Sequence, residues 1–215
     1  SIYLDHNATT PVDPAVVDAM LPYLSTTFGN ASSVHQFGRS AKVALERSRE
    51  QVAAFVNCDP SEIMFTSGGT ESDNLAIMGI AYAARERRDH LVVGAAEHHA
   101  VLESAEFLHQ KEGFKLDLLP VNREGISVDA DLSEKLTDRT AVVSVMLANN
   151  ETGAIQDIAV LSRVTHSRGA LMHTDAVQAV GVRDSPGGEV FLPVISDFGH
   201  DPIHHRFEAH RVLVE

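Results

Sequence analysis

The stretch Ala141-Val142-Val143-Ser144-Val145-Met146-Leu147 carries no charge and shows an apolar side chain at nearly every position. A strand with one wet face alternates apolar and polar residues; a run without alternation belongs to a strand covered on both faces. Such strands occur in parallel sheets whose crossover helices cover both sides, so this run points to an α/β fold. The rest of the chain agrees. Strands are expected at 62–66, 90–95, 114–119 and 170–173, and helices at 70–87, 99–111, 131–136 and 158–167. Ahead of them, Asp13 before Pro14 marks a helix start running to about Leu24, and Ala41, Ala44, Leu45, Val52 and Phe55 line one face of a helix from about Gly38 to Val56.

Ligands of such sheets bind beyond the carboxyl ends of the strands, and the polar residues gather there. The expected strand ends deliver Ser67-Gly68-Gly69-Thr70, Glu97-His98-His99, Asn149-Asn150-Glu151 and Asp175-Ala176-Val177-Gln178. Two glycines before a helix starting at Thr70 allow close approach of an anion to free N–H groups, and the Thr70 and Ser72 hydroxyls add donors. The same turn also reads as an ordinary capped helix start. Asp175 reads either as the partner of a protonated ring nitrogen or as a helix N-cap. His98 is a ring-stacking or acid–base group, or a structural loop histidine. Taken together, a phosphate cradle, a carboxylate, an imidazole and amides suit a planar phosphorylated cofactor such as pyridoxal phosphate.

Composition sets outer limits. The 215 residues have a formal charge of −13, with 44% hydrophobic and 22% charged residues, an ordinary globular make-up. That charge argues against a nucleic-acid partner, and no uncharged run is long enough for a membrane span. No signal peptide is read at the amino end, and the single Cys58 suits a reducing compartment, so a cytoplasmic location is expected. Cys58, beside Asp59-Pro60, reads as a small half-buried residue rather than a nucleophile.

The segments Tyr3-Leu4-Asp5-His6-Asn7-Ala8-Thr9-Thr10-Pro11, Phe28-Gly29-Asn30-Ala31-Ser32-Ser33-Val34-His35, Thr66-Ser67-Gly68-Gly69-Thr70-Glu71-Ser72-Asp73-Asn74, Glu97-His98, Ala148-Asn149-Asn150-Glu151-Thr152-Gly153 and His173-Thr174-Asp175-Ala176-Val177-Gln178 resemble, in order and spacing, the cysteine desulfurases of the NifS/IscS-like group in the class V aminotransferase superfamily. The resemblance runs from residue 2 to about 181. It implies the large domain of a fold-type-I pyridoxal phosphate transferase, in truncated form. An N-terminal segment, 1–30, would belong to the small-domain or active-site edge, residues 31–181 would form the incomplete cofactor domain, and 182–215 would be a divergent tail. It further implies that Gly69 and Thr70 bind the phosphate, His98 stacks on the ring, Asn150 and Gln178 bond the ring hydroxyl side, Asp175 holds the pyridine nitrogen, and Asn7 lies near substrate. The family takes sulfur from L-cysteine, leaving alanine and a persulfide for iron–sulfur clusters or thio-modification. A homodimer or mixed dimer and an iron–sulfur scaffold or sulfur-acceptor protein are the implied partners.

Past Gly181 the pattern stops. The family's lysine follows a histidine; here Gly199-His200 takes that place, with His200 as a further cofactor contact, and Asp201 stands about where the lysine is expected. No lysine follows Lys135, so a covalent aldimine is not expected. The persulfide cysteine and the substrate-carboxylate arginine of the family are also unmatched, and the tail reads as an aberrant or truncated terminus. His200 and His204 at four-residue spacing do not make a metal site, since Pro202 intervenes and no third ligand is placed. The chain then reads as a desulfurase-family protein of doubtful own activity. The alternatives are a non-catalytic cofactor-binding or dimer-partner module, or another class V activity such as selenocysteine lyase.

Overall fold

The computed structural model describes residues 1–179 and the backbone of Val212–Val214. The chain divides into two units, Ser1–Pro60 and Ser61–Glu215. His200, Asp201 and the tail histidines lie outside the described residues, as does the expected end of the family pattern at Gly181.

The first unit contains helices α1 (Pro14–Ser25) and α2 (Gln36–Val56). Asp13 caps α1 as expected, its Oδ1 accepting from the Ala15 N–H at 2.7 Å with Pro14 opening the helix. His35 caps α2 through Nδ1, and Asn57 closes it in the left-handed region at φ 56°. Gly38 in the first turn of α2 has a steric reason to be glycine. A Cβ there would stand 2.2 Å from the Ser33 carbonyl oxygen and 2.6 Å from that of Asn30. This contact, together with the Phe28–Phe37 ring stack, folds the 28–37 loop onto the helix start.

The second unit holds a four-stranded, all-parallel sheet of β2 (His90–Gly94), β3 (Lys115–Leu119), β4 (Thr140–Ser144) and β5 (Leu171–His173), in the order β3-β2-β4-β5. Helices α3 (Gly69–Ala84) and α4 (His99–Glu112) share a core with one face of it, through Ile77, Ala81, Val101, Ala105 and Leu108 against Leu91, Val93 and Val142. Helices α5 (Asp129–Lys135) and α6 (Ile158–Ser167) share the other, through Leu132, Ile158 and Leu161 against Val92, Val143 and Met172. Adjacent valines of β2 and β4 thus enter opposite cores, and the expectation of a doubly covered strand holds. Among the described residues, no helix is long and apolar enough to cross a membrane.

Three expectations shift. β1 (Ile63–Phe65) does not join the four strands; it pairs in parallel with β6 (Val212–Val214), a segment with no strand signal strong enough to foresee. Helix α3 stops at Ala84 rather than 87, because Arg85 turns to Glu112 at 2.8 Å and Arg88 donates to the Thr140 and Arg168 carbonyls. The strand expected over 141–147 ends at Ser144, since the Glu97 carboxylate takes the Met146 N–H out of the ladder.

Truncating Phe114, which is 2% exposed, should cost about 3–5 kcal/mol through lost burial and the cavity left behind. The half-exposed Phe107 changed to Ala should cost no more than ~0.5 kcal/mol. Urea denaturation of the two variants beside the parent measures both.

Candidate functional site

The carboxyl ends of β2, β4 and β5 carry Glu97-His98, the 148–153 loop and Asp175, and the sheet being parallel, these lie at one edge. Helix α3 reaches the same place, because Asp73 on its first turn and a half has Oδ1 3.6 Å from Nε2 of His173 on β5. Thr70 lies three residues before Asp73, and residues so spaced share a helix face. The cradle end of α3 therefore joins the site even though β1 is not in the main sheet.

The start of α3 has the features of an anion site. Gly68 is the N-cap and brings no side-chain hydrogen bond to the first turn, so the N–H groups after it have no intrahelical acceptor. Gly69 itself opens the helix, one residue earlier than expected. Thr70 is exposed, while its carbonyl accepts from Asn74 at 2.7 Å. Ser72 does not serve as a donor to a ligand. Its hydroxyl is 2.6 Å from that of Thr66 and it is 8% exposed, so it stitches the turn internally. Glu71 folds back to the Ser67 hydroxyl and N–H, each at 2.6 Å, and these bonds hold its carboxyl below the usual range.

His98 is the N-cap of α4, with Nδ1 accepting from the Ala100 N–H at 3.1 Å. That bond fixes the ring and leaves its proton on Nε2, with an exposed face. The structural reading of His98 and the ligand-facing one are thus compatible, since capping uses one nitrogen only. Asp175 is 8% exposed; Oδ1 accepts from the Val177 N–H at 2.9 Å, an Asx-turn bond. Its backbone carbonyl accepts from Leu147 at 2.8 Å, locking this loop to the one after β4. Gln178 follows in the half-buried turn closed by Ala179 N–H to the Ala176 carbonyl.

The loop bearing Asn150 takes its shape from Asn149, which the sequence does not set apart from its neighbour. Asn149 Oδ1 accepts from Glu151 N–H, Thr152 N–H and the Thr152 hydroxyl at 2.8–3.0 Å, and its Nδ2 donates to the Ala96 carbonyl at 2.9 Å. The loop bearing Asn150 is in this way closed upon itself and fastened beside Glu97-His98.

Beneath these groups lie polar residues whose burial no local pattern announced. Glu97, Ser144, His173 and Asp73 are all 8% exposed or less. Burial first, then the nearby Asp175 and Asp73 charges, push the Glu97 carboxyl up to about 8, against its contacts with the Met146 N–H and the Ser144 hydroxyl. Burial pulls His173 down to about 4, so its 3.6 Å approach to Asp73 is that of a neutral imidazole. Asn7 sits in the exposed N-terminal turn of the first unit, near the Tyr3 hydroxyl bonds to the Asp5 and Thr9 carbonyls. Cys58 is half-buried, just past the end of α2, with Sγ 3.5 Å from the Asp59 carbonyl.

The donor set fits pyridoxal phosphate: a helix N-terminus without a side-chain cap for the phosphate, a buried carboxylate for the ring nitrogen, an imidazole face and amides for the ring substituents.

Comparison with known proteins agrees with that chemistry. The profile of the family "Aminotransferase class-V" matches residues 2–185. A cysteine desulfurase IscS of Clostridium botulinum is 42% identical over 199 residues, covering 93% of this chain and 50% of the relative. A human cysteine desulfurase is 44% identical over 200 residues, covering 93% of this chain and 44% of its own length. The solved structure of SspA in complex with cysteine superposes with a TM-score of 0.80 at 34% identity, over 83% of this chain and 51% of that one. The chain spans about half the length of the relatives it matches. Its mixed α/β body is the large-domain architecture of fold-type-I enzymes, whose class V members depend on pyridoxal phosphate. The chain belongs to the class-V aminotransferase family, among relatives named cysteine desulfurases.

Proposed function

We propose that this chain binds pyridoxal phosphate and carries the cofactor-holding part of cysteine desulfurase chemistry, in which L-cysteine gives L-alanine and its sulfur passes on as a persulfide. The observation that carries the reading is the buried Asp175 at the end of a parallel strand, on the same edge as the α3 N-terminus and the His98 ring. Gly69 and Thr70 hold the phosphate, Asp175 the pyridine nitrogen, His98 the ring face, and Asn150 and Gln178 the ring hydroxyl side. When bound, the cofactor supplies an electron sink for the substrate's Cα and Cβ bonds. Asp175, with one oxygen fixed by its Asx-turn bond, would hold the ring nitrogen in its protonated form. His98, capping α4 through Nδ1, offers a fixed ring face and an Nε2 proton.

One feature favours a second reading of the chain's own activity. No lysine stands between Lys135 and Glu215, so these residues offer no amine for covalent attachment. Within these residues the cofactor would be held by non-covalent contacts, and the chain would serve as a cofactor-binding partner in a dimer with a second copy or a related chain. Delivery of sulfur to an iron–sulfur scaffold or another acceptor follows from the desulfurase reading.

Thr70→Ala and Asp175→Ala should each weaken pyridoxal phosphate binding by about tenfold or more, the scale of one charge-assisted hydrogen bond. Equilibrium dialysis measures this; unchanged affinity in both variants removes the site assignment.

Borohydride treatment after cofactor addition should label none of Lys42, Lys111, Lys115 and Lys135, and the chain alone should release no alanine from L-cysteine. Peptide mass mapping with alanine analysis decides it. A labelled lysine together with alanine and sulfide would establish activity in the chain itself.

A further inference from the structure

The elements that carry the candidate site are joined below it by a buried polar chain that the proposed function leaves unused. Glu97 Oε1 accepts the Met146 N–H, and Oε2 is 3.1 Å from the Ser144 hydroxyl. The same hydroxyl is 2.9 Å from Nδ1 of His173, whose Nε2 is 3.6 Å from Asp73 Oδ1. One hydroxyl proton serves two neighbours, so the chain has two self-consistent directions. In the first, an ionised Glu97 accepts from Ser144, which accepts from His173 Nδ1–H, and a bare Nε2 lone pair then faces the Asp73 carboxylate. In the second, a protonated Glu97 donates from Oε2 to Ser144, Ser144 donates to Nδ1, and the Nε2–H points at Asp73.

The second direction satisfies every member. The first sets a lone pair against a carboxylate in a site with little water, a costly pairing. It also places three buried carboxylates, Asp73, Glu97 and Asp175, in ionised form near one another. Glu97 Oε1 already takes the backbone N–H, which leaves Oε2 as the protonated atom. Gly94 makes the arrangement possible, because a Cβ at that position would stand 2.9 Å from Glu97 Oε1.

We propose that Glu97, Ser144 and His173 form a one-way hydrogen-bond chain running from Glu97 to His173, whose Nε2–H faces the Asp73 carboxylate across 3.6 Å, and that these four residues position the loops bearing His98, Asn150 and Asp175 against helix α3. The four are positioning residues. The identity of the loops as cofactor contacts rests on the function proposed above; the direction of the chain does not. Burial, pushing Glu97 up to about 8 and His173 down to about 4, agrees with the protonated, then neutral, forms this direction needs.

Linkage gives the chain a pH signature. The folded chain keeps the Glu97 proton up to about 8, whereas the unfolded carboxyl releases it near 4.5, so stability falls as pH rises between those values. His173 acts oppositely: the unfolded imidazole takes a proton below 6.5 and the folded one only near 4, so stability rises across that interval. The two offset one another up to 6.5, and Glu97 acts alone from there to about 8. The charged groups facing them are Asp73 from α3 and Asp175 after β5.

The test uses the full chain without cofactor, so failure of the cofactor reading leaves it unaffected. At neutral pH, nitrogen NMR of the assigned His173 ring should show a neutral imidazole with its proton on Nε2. Infrared spectra should show a protonated-carboxyl band that disappears in Glu97→Gln. That variant, whose amide can donate to Ser144, should keep the Nε2 tautomer and lose the fall in urea midpoint between pH 6.5 and about 8. A proton on Nδ1, an imidazolium, or a carboxyl band unchanged by Glu97→Gln would each overturn the proposal.

Discussion

Everything in the second unit depends on two central strands, β2 and β4, that have no face left for water. With α3 and α4 sharing one core and α5 and α6 the other, the valines of β2 and β4 are consumed by packing on both sides. Each such side chain contributes about 1.5–3 kcal/mol when fully buried. No chemistry can be placed on those faces without breaking a core, so polar function is displaced to the strand ends. Parallel strands put all their carboxyl ends at one edge, and a set of groups scattered over a hundred residues of sequence becomes one neighbourhood.

That displacement creates a second demand. Loops leaving buried strands carry backbone N–H groups that must be satisfied away from water. The Met146 N–H is met by Glu97, the Leu147 N–H by the Asp175 carbonyl, and the Ala96 carbonyl by Asn149. Each bond crosses from one strand end to another, so satisfying the backbone also aligns the loops. Scaffold and site are built from the same bonds here.

The pattern of strands and helices was legible because packing repeats: valine runs for doubly covered strands, apolar spacing for helices, and Asp13-Pro14 for a helix start. His98 and Asp175 were legible as strand-end residues, and the family motifs gave them roles. What stayed hidden was pairing at long range. The early end of β4 is caused by a carboxyl 49 residues away, and β1 finds its neighbour in Val212–Val214 rather than in the main sheet. Ser72 was read as a ligand donor because its type allowed it, but its hydroxyl is held by Thr66. Asn149 was hidden in the same way, since nothing in a pair of adjacent amides says which one builds the loop.

The side-chain hydrogen bonds of Asn149 have a bearing on how this loop can come undone. One amide side chain closes the loop on itself, through the Glu151 and Thr152 donors, and ties it to the neighbouring strand end, through the Ala96 carbonyl. Loss of Asn149 therefore frees both at once, so the loop's internal turn and its anchorage to the next strand end stand or fall together.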